Sequence, residues 1–374
     1  MTKSLGERGY YSPLDYIPPS TLRGAIITSL YRRGIVDRRY LDVEARQPII
    51  TTSPAYPFED AKSYPSHLFI YRCKACSPDD QKIAHKNDIL WGWQQLKTRL
   101  QQKIAYNDAI DILRSIEEGG DVRFKQLCEK GHPALELLHP KPVRPLGRIV
   151  KEVGAVAHES ICVGISKYRA TFQKGMLYEY EAITQGAVFW AYLKLPENLS
   201  NEVKPGLEFS IGRGVTRGFG RTRITKVERI NIEREEERIR ECLSRRRVIF
   251  YAISSLASLS PLKNTSLPYP REIDLKSFGR EFDIEVDGKV TFTEAYGKLG
   301  TLHCGWDIQS NSERPSVKSA LPGSILIGKV TGGGDISRTL AILGFVGTIE
   351  YGQGFFITGV NIITPLRRHP MEGG

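Results

Sequence analysis

Ile211–Arg229 reads IGRGVTRGFGRTRITKVER, with glycines at Gly212, Gly214, Gly218 and Gly220. Arg213, Arg217, Arg221, Arg223, Lys226 and Arg229 are threaded through and after them, and Glu228 is the one acid. Glycine lacks a Cβ, so it permits left-handed backbone and close approach of a ligand to the main chain. A run of such turns can aim backbone N–H groups at an anion, while arginines supply charge and planar donors for phosphate. Thr222–Ile232 then alternates as a strand would. The same features also suit a plain tight turn and a solvated arginine surface. The G-x-G-x-x-x-G-x-G spacing departs from both nucleotide-binding fingerprints, which need a strand-to-helix context or a Gly-Lys-Ser/Thr ending.

The whole chain agrees with a polyanionic partner. Its 374 residues allow two cores, and its formal charge of +11 raises the expectation of nucleic acid. A hydrophobic share of 40% against 25% charged residues is ordinary globular composition, which argues against a disordered chain. No apolar run reaches the roughly 18 residues of a membrane span, and MTKSLGERGYY lacks the apolar centre of a signal peptide. Six cysteines in this length do not form a disulfide scaffold, so a reducing, cytoplasmic setting is expected.

In chain order, Met1–Tyr16 offers turn formers and no clear strand. Pro18 and Pro19 fix an extended entry. Ser20 is placed to cap a helix whose buried face is Leu22, Ala25, Ile26, Ser29 and Leu30, and Gly34 stops it. The free N–H groups of that helix, with Arg23 and Gly24 beside them, form a candidate phosphate seat, though most capped helices bind nothing. Residues 47–145 read as an insertion. It opens with a proline-rich loop, followed by a strand-like His67–Arg72 and helices marked by Leu90, Trp93, Leu96, Leu100 and Ile104 and by Ala109, Ile112, Leu113 and Ile116. Cys73 and Cys76 form a C-x2-C pair, and Cys128 with His132 a C-x3-H pair, with His67, His85 and Cys162 as spares. Two such pairs suit a closed structural zinc site, and equally two sets of packed thiols.

From Gly147 the chain turns β-rich, with strands expected over Val150–His158, Ile161–Ser166 and Thr171–Ile183. The run Gly186–Leu195, GAVFWAYLKL, reads as a buried central strand. EREEERIRECLSRRR after Ile232 reads as a solvated connecting helix, 232–247, between a first domain, 1–231, and a second, 248–374. The second half offers a strand at Val248–Ser254 and a hairpin turning at Asp287-Gly288. Further strands follow at Gly300–Trp306 and Ser324–Val330, then a flexible Gly332-Gly333-Gly334 turn and a helix at Ser337–Leu343. A second glycine-rich loop, GFVGTIEYGQGFFI from Gly344, includes Gly352 and Gly354. Strands and helices in this order predict an α+β fold of the ferredoxin-like (RRM-like) type in each half.

These landmarks together resemble the RAMP superfamily of CRISPR RNA-binding subunits. IPPSTLRG at Ile17–Gly24 is similar to the family's IPGSSLKG signature, with Pro19 where a glycine is usual. GRGVTRGFGRTRI resembles its glycine-rich loop and strand. GMLYEYEAI, LPGSIL at Leu321–Leu326 and the second glycine loop resemble the type III-D branch, akin to the five-prime-handle subunits of Csm and Cmr complexes. The resemblance implies two ferredoxin-like domains that bind and cap the 5′ handle of crRNA. It also implies docking to the large signalling subunit and the first backbone subunit of a type III complex, with target RNA met indirectly. The family's first strand should precede the IPPS helix, where this sequence shows almost nothing. RNA contact is then expected at Ser20, Arg23, Gly24, Gly212, Arg213, Gly214, Arg217, Gly218, Phe219, Gly220, Arg221, Tyr178, Gly352 and Gly354.

Some members of the superfamily process precursor RNA with a histidine base, and others cut target RNA with a metal and a loop aspartate. Here His158 and His303 have no obvious tyrosine or lysine partner in sequence, and Asp15 abuts Tyr16-Ile17-Pro18. A non-catalytic RNA-binding subunit is expected. A processing endoribonuclease, a target-cutting backbone subunit and a protein-only scaffold are the alternatives.

Overall fold

The computed structural model describes residues 2–5, 10–67, 71–73, 89–90, 135–146, 149–155, 157–166, 168, 171–212, 214–243, 248–259, 266–307, 312–352 and 355–366. Among them no helix is long and apolar enough to cross a membrane.

The chain opens with two strands where none was legible, β1 (Thr2–Leu5) and β2 (Tyr10–Pro13). Each is four residues long, too short to show a period. Their identity comes from pairing: β1 is antiparallel to β2, and β2 meets a later strand in parallel at Tyr11 and Tyr180. The expected edge before the IPPS segment is therefore filled. Helix α1 (Pro19–Arg32) follows, with Pro18 as its N-cap. Ser20 lies inside the first turn and caps nothing, because the proline pair starts the helix one residue earlier. Gly34, at φ 70°, ends it as expected, and Ile35 N–H returns to the Leu30 carbonyl at 3.0 Å. Helix α2 (Arg38–Arg46) is capped by Asp37, whose side chain accepts from the Tyr40 N–H.

The proline-rich stretch after residue 47 is strand-paired rather than looped out. β3 (Thr51–Thr52) and β4 (Tyr56–Glu59) lie beside later segments, and Ile50 and Ala55 join the core around α1. That core holds Leu22, Ile26, Ile27 and Leu30 against Leu199, Val203, Leu207 and Phe209. The described part of the expected insertion is thus continuous with the first domain up to residue 67. Leu90, expected to open a helix, instead pairs with Tyr71. The remaining helix markers of that segment lie outside the described residues.

β5 (Ala157–Ser166) and β6 (Thr171–Ile183) form a long antiparallel pair, and the sheet runs β1-β2-β6-β5. GAVFWAYLKL is not one central strand. It splits into β7 (Phe189–Trp190), paired to β4, and β8 (Leu193–Lys194), paired to β3. Its side chains are half-buried from Phe189 on and Val188 is exposed, because an apolar run can line a groove as well as a core. β9 (Glu208–Ser210) and β10 (Arg221–Arg223) flank the glycine loop, and the chain beyond Arg223 runs on outside any sheet to Asn231.

Helix α3 (Ile232–Leu243) is no solvated connector: Ile239 and Cys242 are buried, and Ile239 belongs to the second core. Even its charges join the second half: Arg238 donates to the Pro365 carbonyl at 2.9 Å, and Glu236 accepts from the Ser337 hydroxyl at 3.3 Å. β11 (Val248–Ala252) is buried throughout. β12 (Glu272–Asp274), α4 (Leu275–Arg280), β13 (Val286–Tyr296), β14 (Ile325–Gly334) and α5 (Ile336–Val346) follow. Then come β15 (Thr348–Gly352), β16 (Phe355–Val360) and β17 (Ile363–Pro365). The main sheet runs β12-β13-β14-β11-β17 with every neighbour antiparallel. Phe250, Val290, Leu326 and Ile363 of this sheet pack with Leu275 and Phe278 of α4 and with Leu340 and Leu343 of α5.

Asp287-Gly288 is not a turn. Gly288 sits within β13 opposite Gly332, and a Cβ there would lie 2.5 Å from the Thr331 carbonyl oxygen. The two glycines let strands approach, so Gly332-Gly333-Gly334 is paired backbone rather than a flexible turn. The second glycine-rich segment is a β15–β16 hairpin.

Candidate nucleic-acid interface

All four loop glycines adopt positive φ: 90° at Gly212, 76° at Gly214, 88° at Gly218 and 74° at Gly220. Gly214 and Gly218 bracket a 3-10 turn, Val215–Arg217, closed by Arg217 N–H to the Gly214 carbonyl at 2.8 Å. Gly220 is the most constrained. A Cβ there would sit 1.9 Å from the Ile211 carbonyl oxygen, at the base of the loop, where Ile211 N–H donates to the Gly220 carbonyl at 2.8 Å. Phe219 folds back over Gly214. Gly220→Ala is expected to force this base apart. RNA affinity should fall roughly tenfold, about 1.4 kcal/mol, while far-UV circular dichroism stays unchanged; unaltered affinity in a binding titration would show that the loop geometry is not used.

Arg217, Arg221, Arg223, Lys226 and Arg229 are exposed along this loop and the extended segment after it. Arg221 meets Glu208 at 3.2 Å, but both are open to water, so the pair holds it weakly and a phosphate can compete. Arg213 lies outside the described residues.

The loop and its extension form one wall of a groove of ≈ 2940 Å³. The same groove is also lined by aromatic side chains. Trp190 meets Tyr64 and Tyr192 edge-on, each at 5.1 Å, and Tyr192 meets Phe345 at 4.8 Å. Lys62 lies over Trp190 at 5.1 Å and Tyr192 at 5.4 Å. Burial pushes the Tyr64 phenol up to about 12 and Tyr192 higher still, so both keep their protons at neutral pH. The sequence reading missed these rings. Trp190 and Tyr192 stand two residues apart in the apolar run, and two-residue spacing puts side chains of extended backbone on one face.

The other expected contacts are placed differently. The α1 N-terminus is closed by protein: a Cβ on Gly359 would lie 2.8 Å from the Pro19 Cβ, and the Pro19 carbonyl accepts from Thr52 Oγ1 at 2.8 Å. Ser20 lies near Gly305. Arg23 does not face solvent as a phosphate ligand. It pairs with buried Glu44, donates from Nε to the Ile50 carbonyl at 2.8 Å, and stacks over Phe356 at 5.4 Å. Gly24 alone of that motif is exposed with open space around it. Tyr178 lies in β6 opposite Cys162. Gly352 is buried at the end of β15, and Gly354 lies outside the described residues.

Of the candidate metal ligands, Cys73 ends a strand paired with residues 135–137, and Cys76, Cys128 and His132 lie outside the described residues, as does the spare His85. His67, another spare, is fully buried and held neutral, its pKa driven down to about 3 by desolvation. Burial raises the Asp15 carboxyl above its usual range, with Lys141 opposing. His303 shares a 3.0 Å hydrogen bond with Ser316. His158 is exposed and lines the groove.

A family model described as RAMPs, the RAMP superfamily, matches residues 4–223. Among solved structures, a chain of the type III-B Cmr-beta complex bound to cognate target RNA is 13% identical with a TM-score of 0.43, covering 87% of this chain and 80% of that one. A second Cmr-beta structure, with target RNA and AMPPnP, gives 14% identity and a TM-score of 0.43, covering 87% and 82%. A Cas6 of Thermus thermophilus gives 13% and 0.26, covering 50% of this chain and 77% of that one. No curated protein matches.

Proposed function

The chain belongs to the RAMP superfamily, and from that premise we propose that it is a non-catalytic RNA-binding subunit of a type III CRISPR effector complex, capping the 5′ handle of crRNA. The observation that carries this reading is the groove itself. Exposed arginines of the glycine loop and its extension line the same groove as a file of aromatic rings. Single-stranded RNA needs charge for its phosphates and π-faces for its bases, and this groove offers both. The reading includes docking to the large signalling subunit and the first backbone subunit. It also takes the two halves as ferredoxin-like. The second half supports that with its strand–helix–strand–strand–helix–strand order and the sheet arrangement β13-β14-β11-β17. A structural zinc on Cys73, Cys76, Cys128 and His132 belongs to the proposal on spacing alone; metal analysis of dialysed protein that finds no zinc overturns it.

The deciding experiment isolates the protein with its native partners and sequences the 5′ ends of RNA crosslinked to it. Crosslinks on a fixed, uncut repeat-derived tag are expected. Crosslinks spread along the guide would move the subunit to a backbone position, and an absence of RNA would leave a protein scaffold. In solution, Arg213, Arg217 and Arg221 changed together to alanine should weaken binding across sequences. The same variant should flatten the log Kd against log salt slope by about 2, at roughly 0.7 for each phosphate that is no longer neutralised. One observation favours an alternative: His158 lines the same groove. An endoribonuclease would use it as general base toward a 2′-OH. Metal-free cleavage of a repeat-containing RNA, abolished by His158→Ala, would establish that reading instead.

A further inference from the structure

The helical hairpin 31–46, YRRGIVDRRYLDVEAR, contains five arginines and no lysine. Arg32 and Arg33 end α1, and Arg38, Arg39 and Arg46 belong to α2. All five are exposed, and none lines the groove. At 3.6 residues per turn, Arg38, Arg39, Asp42, Val43 and Arg46 fall on one face of α2, so that face carries three arginines and one exposed acid. Glu44, with Tyr40 and Leu41, points to the core instead. Among the described residues, no carboxylate pairs with any of the five. Exposed Tyr31 (44%) and Val43 (48%) lie among them.

Helix stability accounts for only part of this cluster. Arg32 and Arg33 sit at the C-terminal end of α1, where a cation is favourable. Arg38 and Arg39 occupy the first turn of α2, where the helix dipole disfavours positive charge, and the only acid there is the N-cap Asp37. Four arginines across one short turn also repel one another. A polyanion would neutralise that charge and relieve the repulsion. Arginine's planar fork suits phosphate oxygens in pairs, and Tyr31 adds a ring on which a base can stack.

We propose that the arginine face of the α1–α2 hairpin is a second contact for the phosphate backbone of single-stranded RNA, separate from the groove. The inference rests on the RNA-binding reading above and extends it to a strand that runs beyond the glycine loop. The test compares the full-length wild type, the Arg38→Ala/Arg39→Ala/Arg46→Ala variant and the Arg213→Ala/Arg217→Ala/Arg221→Ala variant. Each is titrated with fluorescein-labelled oligouridylates of increasing length over a salt series. The hairpin variant should bind short oligomers as wild type does. It should bind long ones roughly tenfold more weakly, with a salt slope smaller by about 2. Its thermal midpoint should equal or exceed that of wild type, since the three side chains are solvated and their mutual repulsion is removed.

Equal affinity and slope for long oligomers would overturn the hairpin contact alone, provided that the loop variant still loses binding. Loss of RNA binding in neither variant would overturn the groove reading as well. A hairpin variant that keeps all RNA binding yet dissociates from its complex on a sizing column would assign the face to an acidic protein partner, and so reject the proposal.

Discussion

Replacing Glu44 with alanine is expected to lower the unfolding free energy by about 3–5 kcal/mol, a large part of the roughly 5–15 kcal/mol typical of a folded protein. Glu44 is 2% exposed. Its carboxylate pairs with Arg23 and accepts from the Ile50 N–H at 3.0 Å, the Ile49 N–H at 3.2 Å and the Tyr40 hydroxyl at 3.1 Å. One side chain therefore ties α1, α2 and the entry to β3. Truncating it strands the Arg23 guanidinium, which burial already pushes toward deprotonation and which Glu44 holds charged. It also orphans two N–H donors, each of which is costly when buried. The check is a urea series on Glu44→Ala, Arg23→Met and the double variant. The double variant should lose much less than the sum of the singles, because removing both charges leaves neither uncompensated. A single-variant loss below about 1 kcal/mol would place the pair among ordinary surface bridges. The same experiment bears on function, since any drop in RNA affinity in Arg23→Met should track the fraction of folded protein rather than a missing phosphate ligand.

That case marks the limit of reading this chain from residue types. Arg23 in a helix opening the family's signature looks like a ligand, and nothing local reveals that Glu44, 21 residues on, claims it. Elements defined by local signals were legible. The helix ending at Gly34 follows from spacing and a left-handed stop, and β6 and α5 follow from their own patterns. The glycine loop was legible too, since four glycines so closely spaced have few other uses. Features set by distant pairing were not. β1 and β2 exist because β6 offers an edge. Asp287-Gly288 continues a strand because Gly332 faces it, although the pair alone favours a turn. GAVFWAYLKL was assigned to the interior because an apolar run does not say whether it meets core or groove. That reading hid Trp190 and Tyr192, which line the candidate site.

Acidification should unlock the contact between the two halves. His139 and His67 are buried side by side, 2% and 1% exposed. His139 Nδ1 meets the Ser66 carbonyl at 2.6 Å, and its Nε2 accepts from the Lys298 N–H at 3.3 Å. That arrangement fixes the neutral tautomer, with the proton on Nδ1. A second proton on Nε2 would point at a donor in a dry site. Close packing leaves little room to adjust, for a Cβ on Gly323 would fall 2.1 Å from the same Ser66 oxygen. Desolvation therefore drives His67 down to about 3, with His139 adding repulsion. It drives His139 down to about 4, opposed by the Ser66 hydrogen bond and assisted by Lys298. The sign follows from linkage. Both folded pKa values lie below the unfolded 6.5, so between them the unfolded chain holds the extra protons and stability falls as pH falls. The loss begins near 6.5 and is complete near the folded values. At roughly pH 5 each histidine contributes about 2 kcal/mol of it, so together they cost about 4 kcal/mol relative to neutral pH. Denaturant midpoints measured from neutral pH down to roughly pH 5 check the prediction. His139→Asn with His67→Gln, which lack the titrating ring, should flatten that slope by up to two protons even if the variant is less stable overall. A slope as steep as wild type would mean that the acid sensitivity lies in other groups and that this pair is not what couples the halves to pH.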